Sequence, residues 1–216
     1  MLVTRAKTEL VKPENALPGR EEYEFTVPAT HFVTGRPIRA PFPAGLATVQ
    51  LGLGCFWGGE KALWNTGGVW TTAVGYAGGY TPHPTYDEVC SGLTGHTEVV
   101  LAVYDPEIIP LPQLLKVFFE AHDPSQGMRQ GNDIGTQYRS AVYLADAAER
   151  EIAQAVKDAY SARLIAGGLT KATTEIAAAG PFYYAEGYHQ QYLAKNLDGY
   201  CGSGGTGVTC PVPATG

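Results

Sequence analysis

The sequence lacks the features that mark two large classes of protein. It has no run of Lys and Arg and carries a formal net charge of −6, so nucleic acid is a poor candidate for its partner. No uninterrupted apolar run is long enough to span a membrane, and the N-terminus has no apolar core of a secretion signal. We therefore expect a soluble, cytoplasmic protein that binds neither nucleic acid nor membrane.

Cysteine is also scarce. Only Cys55, Cys90, Cys201 and Cys210 are present, without a CxxC pair, which is too few for a disulfide scaffold in 216 residues. The glycine-rich spacing of the last two does not resemble a zinc site. In a cytosolic chain these thiols are therefore either buried filler or reactive groups.

The composition predicts one globular domain with tails. Apolar residues make up 44% of the chain, enough for a sizeable core, and 27 glycines indicate many loops. We expect an N-terminal arm over residues 1–44, an α/β domain over 45–199, and a flexible Gly-rich tail over 200–216.

Periodicity predicts the order β-α-β-β-α-β. Thr97–Tyr104 is apolar on both faces, as in a central strand. This order favours an α+β fold, a two-layer sandwich of ferredoxin-like (split βαβ) type with helices on one face of the sheet. The predicted strands are 48–53, 69–77, 97–104, 138–144 and 173–178. The predicted helices are 56–65, one from 111, one opened by Asp146 that buries Ile152, Ala155, Val156 and Ala159, and one over 185–195.

The segment LGLGCFWGGEKALW (51–64) places a lone thiol, Cys55, between a strand and a helix. A helix N-terminus carries unpaired N–H groups and a partial positive charge, so a thiol there is expected to ionise more readily than at its free pKa of about 8.5. The alternative is ordinary core packing, because cysteine is among the most often buried residues. Position alone leaves both interpretations open.

The glycines of this segment also allow a dinucleotide-binding turn. Gly52, Gly54 and Gly58 follow a strand and precede a helix. A pyrophosphate needs close approach to the backbone, whereas residues 55–57 crowd this turn. The second strand also ends in GYAG (75–78), without an acidic residue for a ribose. We therefore reject this interpretation.

Several motifs identify a family. The segments GCFWG, GGYTPHPTYDEVCSG, GHTEVV, HDPSQGMRQGNDIGTQYRS and the tail GYCGSGGTG occur in order between Ala47 and Cys210. Together they resemble the A-type peptide methionine sulfoxide reductases. The resemblance implies a thiol-dependent oxidoreductase that reduces methionine S-sulfoxide, free or in proteins, to methionine.

The resemblance implies roles for five residues. Cys55 would attack the sulfoxide sulfur, and Glu98 would donate a proton, because burial in an apolar pocket raises the pKa of a carboxyl. Tyr86 and Tyr138 match the hydroxyl donors to the sulfoxide oxygen, and Asp133 matches a carboxylate that orders the site. Without the family, Glu98 would be a solvated strand end, either tyrosine a core aromatic, and Asp133 a turn residue.

The neighbours of the thiol suggest how the substrate is recognised. Phe56 and Trp57 supply an apolar wall for the methyl group of the sulfoxide, the alternative being core packing. His189, in GYHQQY, also matches the family, but we expect it to be a structural side chain. Cys90 lies inside a matched motif and is expected to be buried and inert.

The resemblance also implies a thiol relay. The sulfenic acid left on Cys55 would condense with Cys201, and Cys210 would then attack Cys201 and pass the disulfide to thioredoxin. One alternative is a relay that ends at Cys201, because the loop before Cys210 departs from the family pattern. The other is a static tail disulfide, although a reducing cytosol disfavours it. No metal or organic cofactor is called for, and we expect a monomer.

Two rival functions stay open on sequence. A Cys-His hydrolase or acyltransferase would use His189 or His122 as its base and would not need the tail cysteines. A redox-sensing binding module would form a disulfide with peroxide but would not turn over sulfoxide.

Overall fold

A computed structural model describes residues 5–200, 202 and 204–212. Short 3-10 helices cover Arg5–Thr8, Pro13–Asn15 and Thr136–Tyr138. The strands are β1 (Ala47–Leu53), β2 (Val69–Ala77), β3 (Thr97–Tyr104), β4 (Arg129–Gln130), β5 (Asp133–Ile134), β6 (Ser140–Leu144), β7 (Glu175–Ala178) and β8 (Tyr183–Tyr184). The helices are α1 (Phe56–Trp64), α2 (Tyr86–Cys90), α3 (Leu111–Glu120), α4 (Ala147–Ala166) and α5 (Tyr192–Lys195).

Six strands form one sheet in the order β7-β6-β1-β3-β2-β8. Strand β3 pairs antiparallel with both β1 and β2, so these two strands run parallel on either side of it, joined through α1. Likewise β1 lies between β3 and β6, which α3 connects. This is the split βαβ arrangement, and the predicted fold class is confirmed. At the edge, β6 and β7 pair parallel, and β4 and β5 form a separate hairpin.

The two faces of the sheet are covered differently. The helices cover one face, where Leu114, Leu115 and Phe118 of α3 pack on the central strands with full burial. On the other face, Val27 and Ile38 of the N-terminal segment pack against β2 and β3. Both faces of β3 are therefore buried, which explains its unbroken apolar sequence.

The inward face of α4 differs from the prediction. Ile152 is 40% exposed, and Ala155 and Ala159 also face solvent. The buried side chains are Ala153, Val156, Tyr160 and Leu164. These four residues recur at intervals of three or four and so lie on one face of the helix. Of the four residues predicted to be buried, only Val156 lies on that face; the other three lie on the adjacent face.

Other elements also begin at residues other than those predicted. The predicted strand 138–144 begins only at Ser140, because a 3-10 turn ends at Tyr138. The predicted helix 185–195 is reduced to α5, since Gln191 has φ of +49° and cannot continue a right-handed helix. The sequence did not predict α2, β8 or the β4–β5 hairpin. Nowhere in the described ranges does a helix have the length and apolar character needed to cross a membrane.

Candidate active site

A tight turn between β1 and α1 positions the first candidate residue. Gly54 has φ of +85°, and a Cβ added there would lie 2.4 Å from Cβ of Gln130. Only glycine fits such a conformation at such close approach. The turn places Cys55 at the N-cap of α1, with 8% of the residue exposed.

A cavity of about 170 Å³ opens at this turn. Pockets for drug-sized ligands occupy about 300–1,000 Å³, so this one suits a single side chain. Its lining combines one thiol, two carboxyls, three phenols and two further aromatic rings. The lining residues are Cys55, Phe56, Trp57, Tyr86, Glu98, Asp133, Tyr138 and Tyr200. The structure thus brings together seven of the nine candidate residues, and Tyr200 is one that sequence reasoning missed.

Glu98 lies at the start of β3 with 2% of the residue exposed. Its Oε2 accepts a hydrogen bond of 3.0 Å from the backbone N–H of Phe56, the first residue of α1. Burial raises the pKa of Glu98 to about 8, against the opposing effect of that N–H. The carboxyl group therefore keeps its proton at neutral pH and can act as an acid.

The Cys55 thiol does not ionise readily in this state, contrary to expectation. Burial raises its pKa strongly, and the charge of Glu98, when ionised, raises it further. The N–H groups of Trp57 and Gly58 at the helix start lower the pKa, but by less. The prediction from the helix N-terminus was wrong because it left burial out.

The two phenols approach the cavity from different elements. Tyr86 is the first residue of α2, and its backbone N–H donates to Oε1 of Glu186 at 2.8 Å. Tyr138 ends a 3-10 helix that is held to β3 by the Thr97 hydroxyl, which donates to the Gln137 carbonyl at 2.8 Å. Burial raises the pKa of both phenols, so both keep their protons, and the Tyr86 hydroxyl is also hydrogen-bonded to the Cys90 thiol.

Asp133 lines the cavity from β5. Burial raises the pKa of its carboxyl. Its buried Oδ2 has no hydrogen-bond partner among the described residues. An unpaired buried oxygen is costly unless a ligand satisfies it, so Oδ2 of Asp133 is a candidate atom for binding a ligand.

The aromatic wall formed by Phe56 and Trp57 is held in place by contacts with His189 and Tyr192. The Trp57 indole N–H donates to Nδ1 of His189 at 3.0 Å, and its ring stacks on Tyr192 with centroids 3.9 Å apart. The His189 ring also packs on Phe56 at 5.1 Å between centroids. Burial lowers the pKa of His189 to about 3, so the ring is neutral. His189 and Tyr192 thus set the orientation of the wall, and the sequence had not suggested a role for Tyr192.

The geometry does not favour a Cys-His hydrolase. Neither His189 nor His122 is among the described residues that line the cavity beside Cys55. His122 bonds instead to the Phe118 carbonyl and the Ser140 hydroxyl, each at 2.8 Å.

The remaining cysteines lie away from the cavity lining or outside the described residues. Cys210 is a free thiol, 1% exposed, in the apolar core cluster beside helix α3, and burial raises its pKa to about 12. Cys201 falls outside the described residues. Cys90, expected to be buried, is a half-buried free thiol at the end of α2. Within the described part of the chain, no three His, Cys, Asp or Glu side chains converge to hold a metal ion.

Comparisons with known proteins agree on one family. A family model described as peptide methionine sulfoxide reductase matches residues 47–206. A peptide methionine sulfoxide reductase MsrA of Pseudomonas aeruginosa is 65% identical over 95% of both chains. Among solved structures, methionine sulfoxide reductase A of Corynebacterium diphtheriae has a TM-score of 0.84 and 45% identity, covering 95% of this chain and all of that one. Reduced Mxr1 of Saccharomyces cerevisiae has a TM-score of 0.67 and 35% identity, covering 79% of this chain and 92% of that one. Mxr1 has also been solved in complex with Trx2.

Proposed function

This chain belongs to the peptide methionine sulfoxide reductase family and is an oxidoreductase of that kind, and we propose that the cavity at Cys55 is its catalytic site. Its substrate is methionine S-sulfoxide, free or in proteins, as the resemblance to the A-type reductases implies, and the A and B types each take one epimer. One observation carries the proposal. A buried carboxyl that holds its proton at neutral pH lines the same side-chain-sized cavity as a thiol at a helix start.

The chemical step transfers an oxygen atom from the substrate sulfur to the sulfur of Cys55. The Cys55 sulfur bonds to the sulfoxide sulfur while Glu98 protonates the sulfoxide oxygen, which otherwise leaves badly. The oxygen also takes the proton of the Cys55 thiol and leaves as water when the S–O bond breaks, so that Cys55 stays bonded to a sulfonium sulfur. That water attacks the Cys55 sulfur, the S–S bond breaks, and methionine leaves as the thioether with the electron pair of that bond. The proton released from the water returns to Glu98, so thiol plus sulfoxide become sulfenic acid plus thioether. Sulfur of the substrate is reduced by two electrons and sulfur of Cys55 is oxidised by two.

The phenols and Asp133 assist this step. Tyr86 and Tyr138 keep their protons and donate to the sulfoxide oxygen as its charge grows, which is where fixed donors accelerate a reaction most. The unpartnered Oδ2 of Asp133 accepts a hydrogen bond from the amide N–H or the ammonium group of the substrate, since the sulfoxide itself has no donor, and so fixes the position of the substrate.

The wall of Phe56 and Trp57 holds the methyl group of the substrate. Phe56 is only 1% exposed and Trp57 is half-buried, so the first also packs in the core while the second faces the cavity. The hydrogen bond to His189 keeps the indole plane in place. A rigid apolar surface beside the reactive sulfur favours a methyl sulfoxide over a larger or charged group.

Regeneration uses the thiols of the tail. Cys201 condenses with the sulfenic acid, releasing water, and Cys210 then displaces Cys55 from Cys201. Tyr200, the residue before Cys201, lines the Cys55 cavity, which supports this order. Thioredoxin reduces the final disulfide, as the existence of an Mxr1 complex with Trx2 suggests. Cys210 must leave the core for this exchange, because its thiol is buried in the reduced protein.

Trapping the intermediate tests the proposal. The Cys201→Ser variant, reduced and mixed with S-sulfoxide, should release methionine and gain one oxygen atom on Cys55, detected by mass spectrometry after labelling with a sulfenic acid reagent. Cys55→Ser is the matched control and should release none. Label on another cysteine, or methionine from the control, would overturn the assignment of Cys55.

A further inference from the structure

One segment of the N-terminal arm is clamped to the loop that carries Tyr86. The Arg20 guanidinium donates to both carboxylate oxygens of Glu88, with Nη1–Oε2 at 2.8 Å and Nη2–Oε1 at 2.7 Å. Nη1 also donates to the His83 carbonyl at 2.7 Å, and the Arg20 N–H donates to the Pro82 carbonyl at 3.1 Å. A two-pronged arginine–carboxylate pair fixes geometry as well as charge.

Glu88 is the third residue of helix α2, and its side chain caps the start of that helix. Its Oε2 accepts from the N–H of Thr85 at 2.9 Å, and the Thr85 hydroxyl accepts from the N–H of Glu88 at 3.4 Å, which completes a capping box. The helix spans five residues, and Tyr86 is the first of them. So short a helix is not stable by itself, and its start depends on outside contacts.

Neighbouring contacts show that the arm segment is fitted to this loop. Gly19 has φ of +70°, and a Cβ there would lie 2.3 Å from the Pro82 carbonyl oxygen. The Leu17 N–H donates to the Leu93 carbonyl at 3.0 Å, and the Thr81 hydroxyl donates to the Leu17 carbonyl at 2.8 Å. The loop is therefore held by contacts with Leu17, Gly19 and Arg20. Of these three residues, Arg20 is the one whose side chain contacts helix α2, at Glu88.

We propose that Arg20 is a positioning residue for the reduction step, which acts through Glu88 to aim the Tyr86 hydroxyl at the sulfoxide oxygen. The inference rests on the proposed role of Tyr86 as a donor. The chain of contacts runs from Arg20 to the Glu88 carboxylate, from Glu88 to the N-cap Thr85, and from there to the first helical residue. The N-terminal arm thus supplies a positioning contact to the loop that carries Tyr86.

A purely structural role makes a different prediction. The side chains of Arg20 and Glu88 are 23% and 25% exposed, and ion pairs with this access to water stabilise folding little. Loss of the clamp should therefore change the rate more than the melting temperature. The rate effect should also depend on the Tyr86 hydroxyl being present.

The test measures the single-turnover rate of methionine formation for Arg20→Gln in three backgrounds. In Tyr138→Phe, Tyr86 is the remaining donor, and Arg20→Gln should slow the reaction about 10-fold, a part of what loss of a whole donor costs. In Tyr86→Phe, Arg20→Gln should have no further effect. In the otherwise unchanged protein the effect should be smaller than in Tyr138→Phe, because Tyr138 still donates.

Glu24→Gln is the matched control. Glu24 contacts the other side of the guanidinium, with its Oε1 3.1 Å from Arg20 Nε, but its side chain is 65% exposed and it does not touch α2. This variant should keep the rate in every background. Equal losses for Arg20→Gln in the Tyr86→Phe and Tyr138→Phe backgrounds, or no loss in either, would overturn the inference while leaving Tyr86 as a donor. If the double variant Tyr86→Phe/Tyr138→Phe itself kept the full rate, the donor role and the inference would both be wrong.

Discussion

At the scale of single residues, burial decides the protonation of the site. Glu98 and Cys55 lie in the same cavity, and for both groups burial is the largest influence on the pKa. Both resting groups are neutral near pH 7, so each enters the reaction with its proton. The sequence motif located both residues, but it could not predict how far burial would outweigh the helix N-terminus.

The rate of reduction should fall as pH rises through about 8. The reactive form carries a proton on Glu98, and the pKa of about 8 sets where that proton is lost. Single-turnover methionine formation, measured from pH 6 to 10, should decline about 10-fold per pH unit above this point. Glu98→Gln should be slower by about 10²–10⁴-fold and should lose this dependence.

Glu60→Gln is the control for that profile. Glu60 is the other buried carboxyl with a strongly raised pKa, about 7, but it bonds to Thr72 and Gln191 and does not line the cavity. Its variant should keep the decline near pH 8. If the decline vanished in Glu60→Gln and persisted in Glu98→Gln, the assignment of Glu98 as the acid would be wrong.

Burial of Glu98 should also make folding stability depend on pH. Its pKa is about 4.5 in the unfolded chain and about 8 in the folded one, so between these values the folded state binds more protons. The resulting stabilisation is complete below pH 4.5 and is lost as pH rises towards 8. The melting temperature of Glu98→Gln relative to the unchanged protein should therefore rise between pH 5 and pH 9, and a constant difference would show that Glu98 does not titrate in this way.

At the scale of elements, the sequence predicted those that local pattern dictates. Strands β1, β2 and β3 and helix α1 have the expected bounds within one residue, because their apolar periodicity matches their burial. Helix α2 and strand β8 escaped prediction. Thr85 and Glu88 form a capping box, a local signal for α2 that sequence reasoning passed over, whereas β8 depends on pairing with β2. Contacts between distant segments leave no local signal. The same reason explains why Tyr192 and Tyr200 were missed.

The turn before α1 should tolerate no side chain at Gly54. Gly54→Ala combines a positive φ with a clash against Gln130, and we expect a loss of about 2–4 kcal/mol in the free energy of unfolding. Gly35→Ala is the control, because Gly35 has φ of +69° but open space around it, and it should lose only about 1–2 kcal/mol. Chemical denaturation measures both. Equal losses would show that the close approach to Gln130 is unimportant.

At the scale of the whole molecule, both ends of the chain fold back onto the central domain. The arm covers one face of the sheet and clamps the Tyr86 loop, while the tail packs on the helices of the other face. The Cys210 N–H donates to Oε1 of Glu120 at 2.9 Å, and Tyr160 bonds to Thr206 at 2.9 Å. The sequence predicted a loose tail over 200–216, and those limits, like the other domain limits, stay a prediction.

The recycling of the enzyme should require this tail, whereas the first turnover should not. Cys210→Ser should form methionine in a single turnover at the normal rate, because its thiol is not part of the cavity. Its steady-state rate with thioredoxin should fall at least about 10-fold, because the disulfide stays on the inner cysteines. Thr209→Ser is the control, because Thr209 is the exposed neighbour of Cys210 in the tail, and this variant should complete the whole cycle. Full thioredoxin-dependent turnover by Cys210→Ser would show that the relay ends at Cys201 and does not need Cys210.

The most direct test of a sulfoxide reductase with internal thiols needs no external reductant. Fully reduced protein is mixed with the S sulfoxide of an acetylated methionine amide and, separately, with the R epimer, and methionine formed and thiols lost are quantified by mass spectrometry. The account predicts at least stoichiometric methionine from the S epimer alone, with loss of thiol at the tail cysteines. No methionine from either epimer, with four unchanged thiols, would contradict it.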